Sequence, residues 1–183
     1  MKVRNLRRGN PLVAPEWVSQ VQIRNAGELD LPELEWDGEF IHFRKLYRQI
    51  YESANEGLAL IWIAEWGDAG LIGQVFVQLA SGRRDLADGS KRAYVYGFRV
   101  KPGYRNMGVG SRMLQFIEND LIQRRFKRVT LNVAKDNEPA LQFYLRNGYK
   151  IVGNEPGRWT FVDHLGKTRE VNEPAWRMEK PLV

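Results

Sequence analysis

The 183-residue sequence predicts one α/β domain with a mixed, mostly antiparallel central sheet flanked by helices. Two observations carry most of that prediction. Dense apolar runs at residues 58–66 and 71–79 stand around Gly67-Asp68-Ala69-Gly70, a pattern that makes an antiparallel hairpin. A third apolar run, residues 93–100, leads through a glycine-containing turn into a stretch with helical spacing. Strands and helices then keep alternating, with no internal repeat, low-complexity tract or linker to divide the chain.

The elements follow in order. Residues 1–20 are basic and punctuated by proline, and read as a poorly ordered arm or as an extension packed by Trp17; the domain proper is residues 21–183. Val21-Gln22-Ile23-Arg24 alternates as a first strand. From Leu31 to Ser53 the pattern is helical, with Phe40, Phe43, Leu46, Tyr47 and Ile50 at three- and four-residue steps. Pro32 and Gly38 interrupt it early and Gly57 stops it. The hairpin comes next, then a polar loop at 81–91, then the aromatic-rich strand 93–100. A helix of about 109–124 buries a stripe of Val109, Met113, Phe116, Ile117 and Leu121. After a strand at 129–133, Asn137-Glu138-Pro139 opens another helix, with Asn as N-cap and Pro in the first turn; Asn147-Gly148 closes it. In the tail, strands centre on Trp159-Thr160-Phe161-Val162 and Ala175-Trp176-Arg177-Met178, separated by a polar turn at Leu165-Gly166-Lys167-Thr168.

Composition narrows the chemistry. Cysteine is absent, which removes disulfides, thiolate metal sites and a cysteine nucleophile. His42 and His164 lie far apart and lack ligand spacing, so no metal site is expected. The N-terminus has no apolar signal-peptide core, and no run approaches the roughly 20 apolar residues of a membrane span. A soluble cytoplasmic protein is expected, with no membrane partner. The net charge of +6 suits a phosphate-bearing partner, or serves solubility alone.

Most of the functional inference lies in Val100-Lys101-Pro102-Gly103-Tyr104-Arg105-Asn106-Met107-Gly108-Val109-Gly110-Ser111. At a strand-to-helix junction, free N–H groups and the positive helix end make an anion site. Gly108 and Gly110 let a phosphate approach the backbone, and Arg105 adds charge with several donors. The same glycines also suit a purely structural turn. No Gly-Lys-Ser/Thr ending makes it a P-loop, and the glycine spacing is wrong for a dinucleotide fingerprint.

Arg105-x-x-Gly108-x-Gly110, after an apolar strand ending in Val100-Lys101-Pro102, resembles the acyl-CoA pyrophosphate loop of the GCN5-related N-acetyltransferases, the GNAT family. Asn137-x-x-Ala140-x-x-Phe143-Tyr144-x-x-x-Gly148-Tyr149 is similar to the second family signature, in the expected order. Trp176-Arg177-Met178-Glu179-Lys180-Pro181-Leu182 resembles the last strand of many members. The likeness runs from about residue 58 to the end.

The resemblance implies a GNAT-like fold that uses acetyl-CoA as co-substrate. The main chain of Phe98, Arg99 and Val100 would pair with the pantetheine arm. The N–H groups of Arg105, Asn106, Met107, Gly108, Val109, Gly110 and Ser111 would hold the pyrophosphate. Asn106 replaces the commoner glycine, and asparagine tolerates a left-handed conformation. Asn137 would touch the cofactor arm as well as cap its helix. Tyr144 would protonate the departing thiolate, the alternative being a core aromatic such as Phe143 beside it. Some relatives carry a general-base Glu where this sequence has Tyr94. Tyr94, Tyr96, Phe98 and Val100 alternate as if onto one packed face. A water chain, Glu65, Asp163 and His164 stay open as bases. Lys101 and Arg112 are near enough in sequence to reach phosphates, whereas Arg124-Arg125-Phe126-Lys127-Arg128 suits a solvated helix end.

The activity expected is transfer of an acetyl group to a primary amine by direct attack. Transfer of a longer acyl chain and non-catalytic acyl-CoA sensing are the alternatives. A nucleic-acid partner is not expected, because no recognition motif accompanies the charge. A homodimer is compatible with the reading.

Overall fold

Seven strands pair into one sheet within residues 14–183, the part of the chain that the computed structural model describes. In chain order the elements are β1 (Gln22–Asn25), α1 (Arg44–Asn55), β2 (Ala59–Glu65), β3 (Leu71–Gln78), β4 (Arg92–Val100), α2 (Val109–Gln123), β5 (Arg128–Ala134), α3 (Glu138–Arg146), β6 (Lys150–Glu155), β7 (Arg158–Val162), β8 (Thr168–Asn172) and β9 (Ala175–Pro181). Short 3-10 segments at Glu16–Gln20, Glu28–Glu35 and Ile41–Phe43 precede or join them. The sheet order is β1-β2-β3-β4-β5-β9-β6, with β7 and β8 forming a separate ribbon. Only β4 and β5 run parallel.

Strand alternation gives the sheet two apolar faces. One buries Trp62, Val75, Val77, Ala93, Val95, Val129 and Leu131 against Met113, Leu114, Ile117 and Leu121 of α2 and Tyr144 of α3. The other buries Ile61, Ile63, Leu71 and Phe76 against Tyr47 and Ile50 of α1 and Leu31, Leu34 and Trp36 before it. Each fully buried aliphatic chain contributes roughly 1.5–3 kcal/mol. The early helical region is broken where expected. Pro32 confines Glu28–Glu35 to 3-10 geometry, left-handed Trp36, Asp37 and Gly38 follow, and the α-helix starts only at Arg44.

Two expectations need correction, and the tail divides between two sheets. Phe116 is not in the buried stripe of α2: it is 42% exposed and stands edge-on to Trp62 at 5.3 Å, while Leu114 is buried in its place. The two tail strands do not share a sheet. β7 pairs with β8 in the ribbon, and β9 inserts between β5 and β6. Finally, Tyr94, Tyr96, Phe98 and Val100 do not share a face. Tyr96 packs on the α1 side, whereas Phe98 and Val100 pack on the α2 side. The reason is Gly97, whose φ of +58° puts an extra residue into β4 opposite Val75. Such a bulge reverses the side-chain parity beyond it.

Candidate active site

The Gly97 bulge has a second consequence. β4 pairs with β5 only from Arg92↔Arg128 to Val95↔Leu131. Beyond that, β4 stays with β3 as far as Val100 and β5 stays with β9 as far as Ala134. The two strands part, so main chain at 96–100 faces main chain at 132–134 without pairing. Phe98, Arg99 and Val100 all border this opening. At its closed end Asn132 donates to the Tyr94 hydroxyl at 3.4 Å.

Past the open end, the chain turns through Pro102–Tyr104 into α2. Asn106 takes φ +59°, as an asparagine tolerates, and Gly108 takes φ +98° at the N-cap. Arg112 is the first residue of this helix to donate within it, to Gly108 O at 3.0 Å. Among the described residues, the N–H groups of Asn106, Met107, Gly108, Val109, Gly110 and Ser111 make no backbone hydrogen bond. Six N–H groups without a backbone acceptor among the described residues and the positive end of a helix dipole therefore lie in one turn. Gly110 has an additional structural reason: a Cβ there would stand 3.3 Å from the Phe143 ring. Phe143 is consequently only half-buried, fitted between Gly110 and Phe98, and is not the core aromatic expected from sequence.

The cations divide. Arg105 Nε closes the turn on Val100 O at 2.7 Å, leaving its outer nitrogens toward solvent. Arg112 instead turns away from the junction, to the carbonyls of Ser19 and Val21 at 3.1 and 3.3 Å. Arg124 pairs with Asp120 and Arg128 with Glu179, which makes that cluster a solvated helix end. Asn137 caps α3 by accepting from Ala140 N at 3.2 Å, and its side chain is exposed.

Tyr144 is the buried aromatic of α3, 8% exposed, edge-on to Tyr149 at 5.5 Å. Its hydroxyl makes no hydrogen bond among the described residues. Burial pushes its pKa above the usual phenol value, and the nearby Tyr94 phenol adds to the shift. It therefore holds its proton through the neutral range.

The open bases are less free than the sequence allowed. Glu65 is bound by Arg24 at 2.8 Å, on a strand separated from β4 by β3. Asp163 accepts from Lys167 N, Leu165 N and Arg169 Nε, which hold its pKa down at about 2 against the cost of desolvation. His42, which sequence reasoning passed over, lies 4.1 Å from the Phe43 ring. Burial, then Arg99, lower its pKa below the ordinary 6.5 and keep it neutral. No spacing signal marks it, because its neighbours beyond Phe40 and Phe43 come from β4 and β7.

On the same side as Tyr94, a charged groove of about 690 Å³ is lined by Arg83, Asp85, Arg92, Glu155, Arg177 and Glu179. Asn132 links it to the opening by accepting from Arg177 Nε at 2.8 Å. Arg177 also bonds Glu155 and Asp85, and Arg83 spans the same two carboxylates. Among the described residues no group of three metal-ligating side chains occurs, and no helix is long and apolar enough to cross a membrane.

Solved structures share this architecture. Ard1 from Thermoplasma volcanium is 17% identical, with a TM-score of 0.68 over 89% of this chain and 98% of that one. The spermidine/spermine N-acetyltransferase of Vibrio cholerae is 15% identical, with a TM-score of 0.67 over 91% and 95%. The PaiA N-acetyltransferase of Thermoplasma acidophilum, solved in complex with coenzyme A, is 19% identical, with a TM-score of 0.62 over 88% and 98%. At such identities the likeness establishes the fold. A model of the acetyltransferase (GNAT) family matches residues 27–149, spanning the parted strands, the donor-rich turn and Tyr144. That span is about two thirds of the sequence, and the chain belongs to the GNAT family of acetyltransferases.

Proposed function

We propose that the protein transfers an acetyl group from acetyl-CoA to a primary amine by direct attack in a ternary complex. The observation that carries this reading is the opening between β4 and β5, which leads straight to the unpaired N–H groups at 106–111. The two parts suit the two ends of one cofactor. An amide-containing pantetheine arm would pair along Phe98, Arg99 and Val100 as a strand does, up to the Val100 carbonyl that Arg105 Nε holds. Its pyrophosphate would lie on the turn, with Arg105's outer nitrogens beside it and Asn137 toward the arm.

The reaction then needs few groups. The amine, freed of one proton, attacks the thioester carbonyl carbon; the C–S bond breaks and an amide forms. The first ammonium proton passes to solvent or to a neutral base before attack. As the C–S bond breaks the thiolate takes a proton from Tyr144, and the second proton, shed by the nitrogen as the amide forms, returns to the phenolate through solvent. A buried phenol is a weak acid, but the same dry surroundings raise the thiolate's proton affinity too, so donor and acceptor stay matched. No covalent acyl-enzyme is required, in keeping with a chain that has no cysteine.

Calorimetric titration with acetyl-CoA and release of free thiol in the presence of an amine panel test the proposal together. Saturable binding and amine-dependent thiol release are expected. Tyr144→Phe should bind acetyl-CoA normally and lose about a hundredfold or more in kcat. Unchanged turnover in that variant removes Tyr144 from the mechanism, and absence of binding at millimolar acetyl-CoA removes the proposal.

A further inference from the structure

The half-buried arginines of the described residues are Arg92, Arg99, Arg112 and Arg177. Arg92 and Arg177 face carboxylates, and Arg112 is held by two carbonyls. Arg99 meets neither. Its Nη1 donates to the Tyr47 hydroxyl at 3.2 Å, a neutral partner. Its guanidinium lies over the rings of Phe40 at 4.2 Å and Phe43 at 5.4 Å. Those faces fix the plane of the fork while Nε and Nη2 keep no acceptor among the described residues. A permanent charge placed this way has given up hydration that no protein carboxylate replaces, which favours an anion arriving from outside.

Arg99 and Arg169 both act electrostatically on His42, with Asp163 opposing them. The buried carboxylates of this side are already committed. Glu35 takes Nε and Nη2 of Arg44 at 2.6 and 2.8 Å, and Asp163 takes Arg169 and two backbone N–H groups. Asp37 and Glu39 stay exposed. Aromatic rings flank the guanidinium, and Phe161 of β7 packs 4.8 Å from Phe43.

Position gives the charge its meaning. Arg99 lies two residues past the Gly97 bulge, so its main chain borders the β4–β5 opening while its side chain stands on the α1 side. A cofactor reaching the opening from the α2 turn would leave the α1 side for the amine. The geometry points to Arg99 as the anchor of a carboxylate carried by the acceptor. The acceptor is thus a free amino acid, or another small amine with a carboxylate close to its nitrogen, and not a polyamine. This inference rests on the proposed acetyl transfer. The spermidine/spermine N-acetyltransferase shares the fold, but a polycation here would meet Arg99, while Asp163 is already held by Arg169 and Glu35 by Arg44.

The test compares free amino acids with their own amides, and both with spermidine, at fixed acetyl-CoA, reading kcat/KM from thiol release. Each acid and its amide differ in the carboxylate and in the basicity of the amine. Rates are therefore compared per concentration of free amine, and the wild-type protein alone gives an answer. The acids should exceed their amides by about tenfold or more. In Arg99→Met that preference should vanish, mainly through KM for the acids, and Arg99→Lys should restore part of it. Acetyl-CoA titration of the same variants reports whether they are folded. Equal turnover of acids and amides, or preference for spermidine, overturns the inference and leaves acetyl transfer standing. Preference retained in Arg99→Met overturns the role of Arg99. Thiol release with no amine at all overturns acetyl transfer and the acceptor class together.

Discussion

Gly97 shows most directly how one residue shapes the site. Its φ of +58° is a conformation that side chains resist, and a Cβ there would lie 2.4 Å from the Phe76 ring. Gly97→Ala should therefore destabilise the protein by about 2–4 kcal/mol in urea unfolding, from strain and overpacking combined. Phe76→Leu in the same chain should recover the steric share and leave the backbone share, a coupling that a double-mutant cycle measures. Full additivity of the two changes would show that the bulge does not rest on Phe76. Asn106 and Gly108 could be read as left-handed from sequence, because asparagine and glycine advertise it at a turn. Gly97 could not. It stood inside the unbroken aromatic alternation Tyr94, Tyr96, Phe98, and a bulge that swaps faces leaves that pattern intact. Arg99 and His42 went unread for a related reason. Their partners come from four elements distant in sequence, so no local spacing records them.

At the scale of elements, apolar or aromatic strands were legible and the polar strands β6 and β8 were not. β2, β3 and β4 announce themselves by dense apolar runs, and α3 by its cap and closing glycine. β6 is a mostly exposed edge with a register shift beside Gly153, and β8 is the polar half of the ribbon. Neither offers an alternation to find. The ribbon instead depends on its turn, where Asp163 gathers two backbone N–H groups and Arg169. Its pKa is depressed from 3.8 to about 2, so its contribution is fully present above pH 3.8 and is lost as pH falls through about 2. Hydrogen exchange at the Leu165 and Lys167 amides should therefore lose protection between about pH 4 and 2, after correction for intrinsic rates. Asp163→Asn should show weaker protection at pH 6 and no such acid step. An unchanged profile in that variant would place the stability of the ribbon elsewhere, in the packing of Phe161 on Phe43.

Across the whole molecule, the donor-rich turn is supported from outside the family match. Residues 14–20 precede that match, yet Ala14 and Val18 pack against Gly108, and Trp17 packs tilted against Trp66 at 4.8 Å and edge-on to Tyr104 at 6.0 Å. Arg112 fastens the same segment through Ser19 and Val21. Residues 1–13 of the expected arm lie outside the described residues. The stretch from Ala14 therefore belongs to the wall of the proposed cofactor site, and sequence gave only Trp17 as a hint of it. Two valines of one core separate this support from general stability. Val18 and Val77 are both buried, but only Val18 touches the turn, whereas Val77 lies in the middle of β3. Truncating either to alanine should cost about 2 kcal/mol, seen as a similar fall in Tm. Val18→Ala should also weaken acetyl-CoA binding severalfold by calorimetry, because the N–H groups at 106–111 lose their fixed orientation. Val77→Ala should leave that affinity as it was. Equal affinities in the two variants would mean that Arg105, closed on Val100 O, holds the turn without help from the chain before β1.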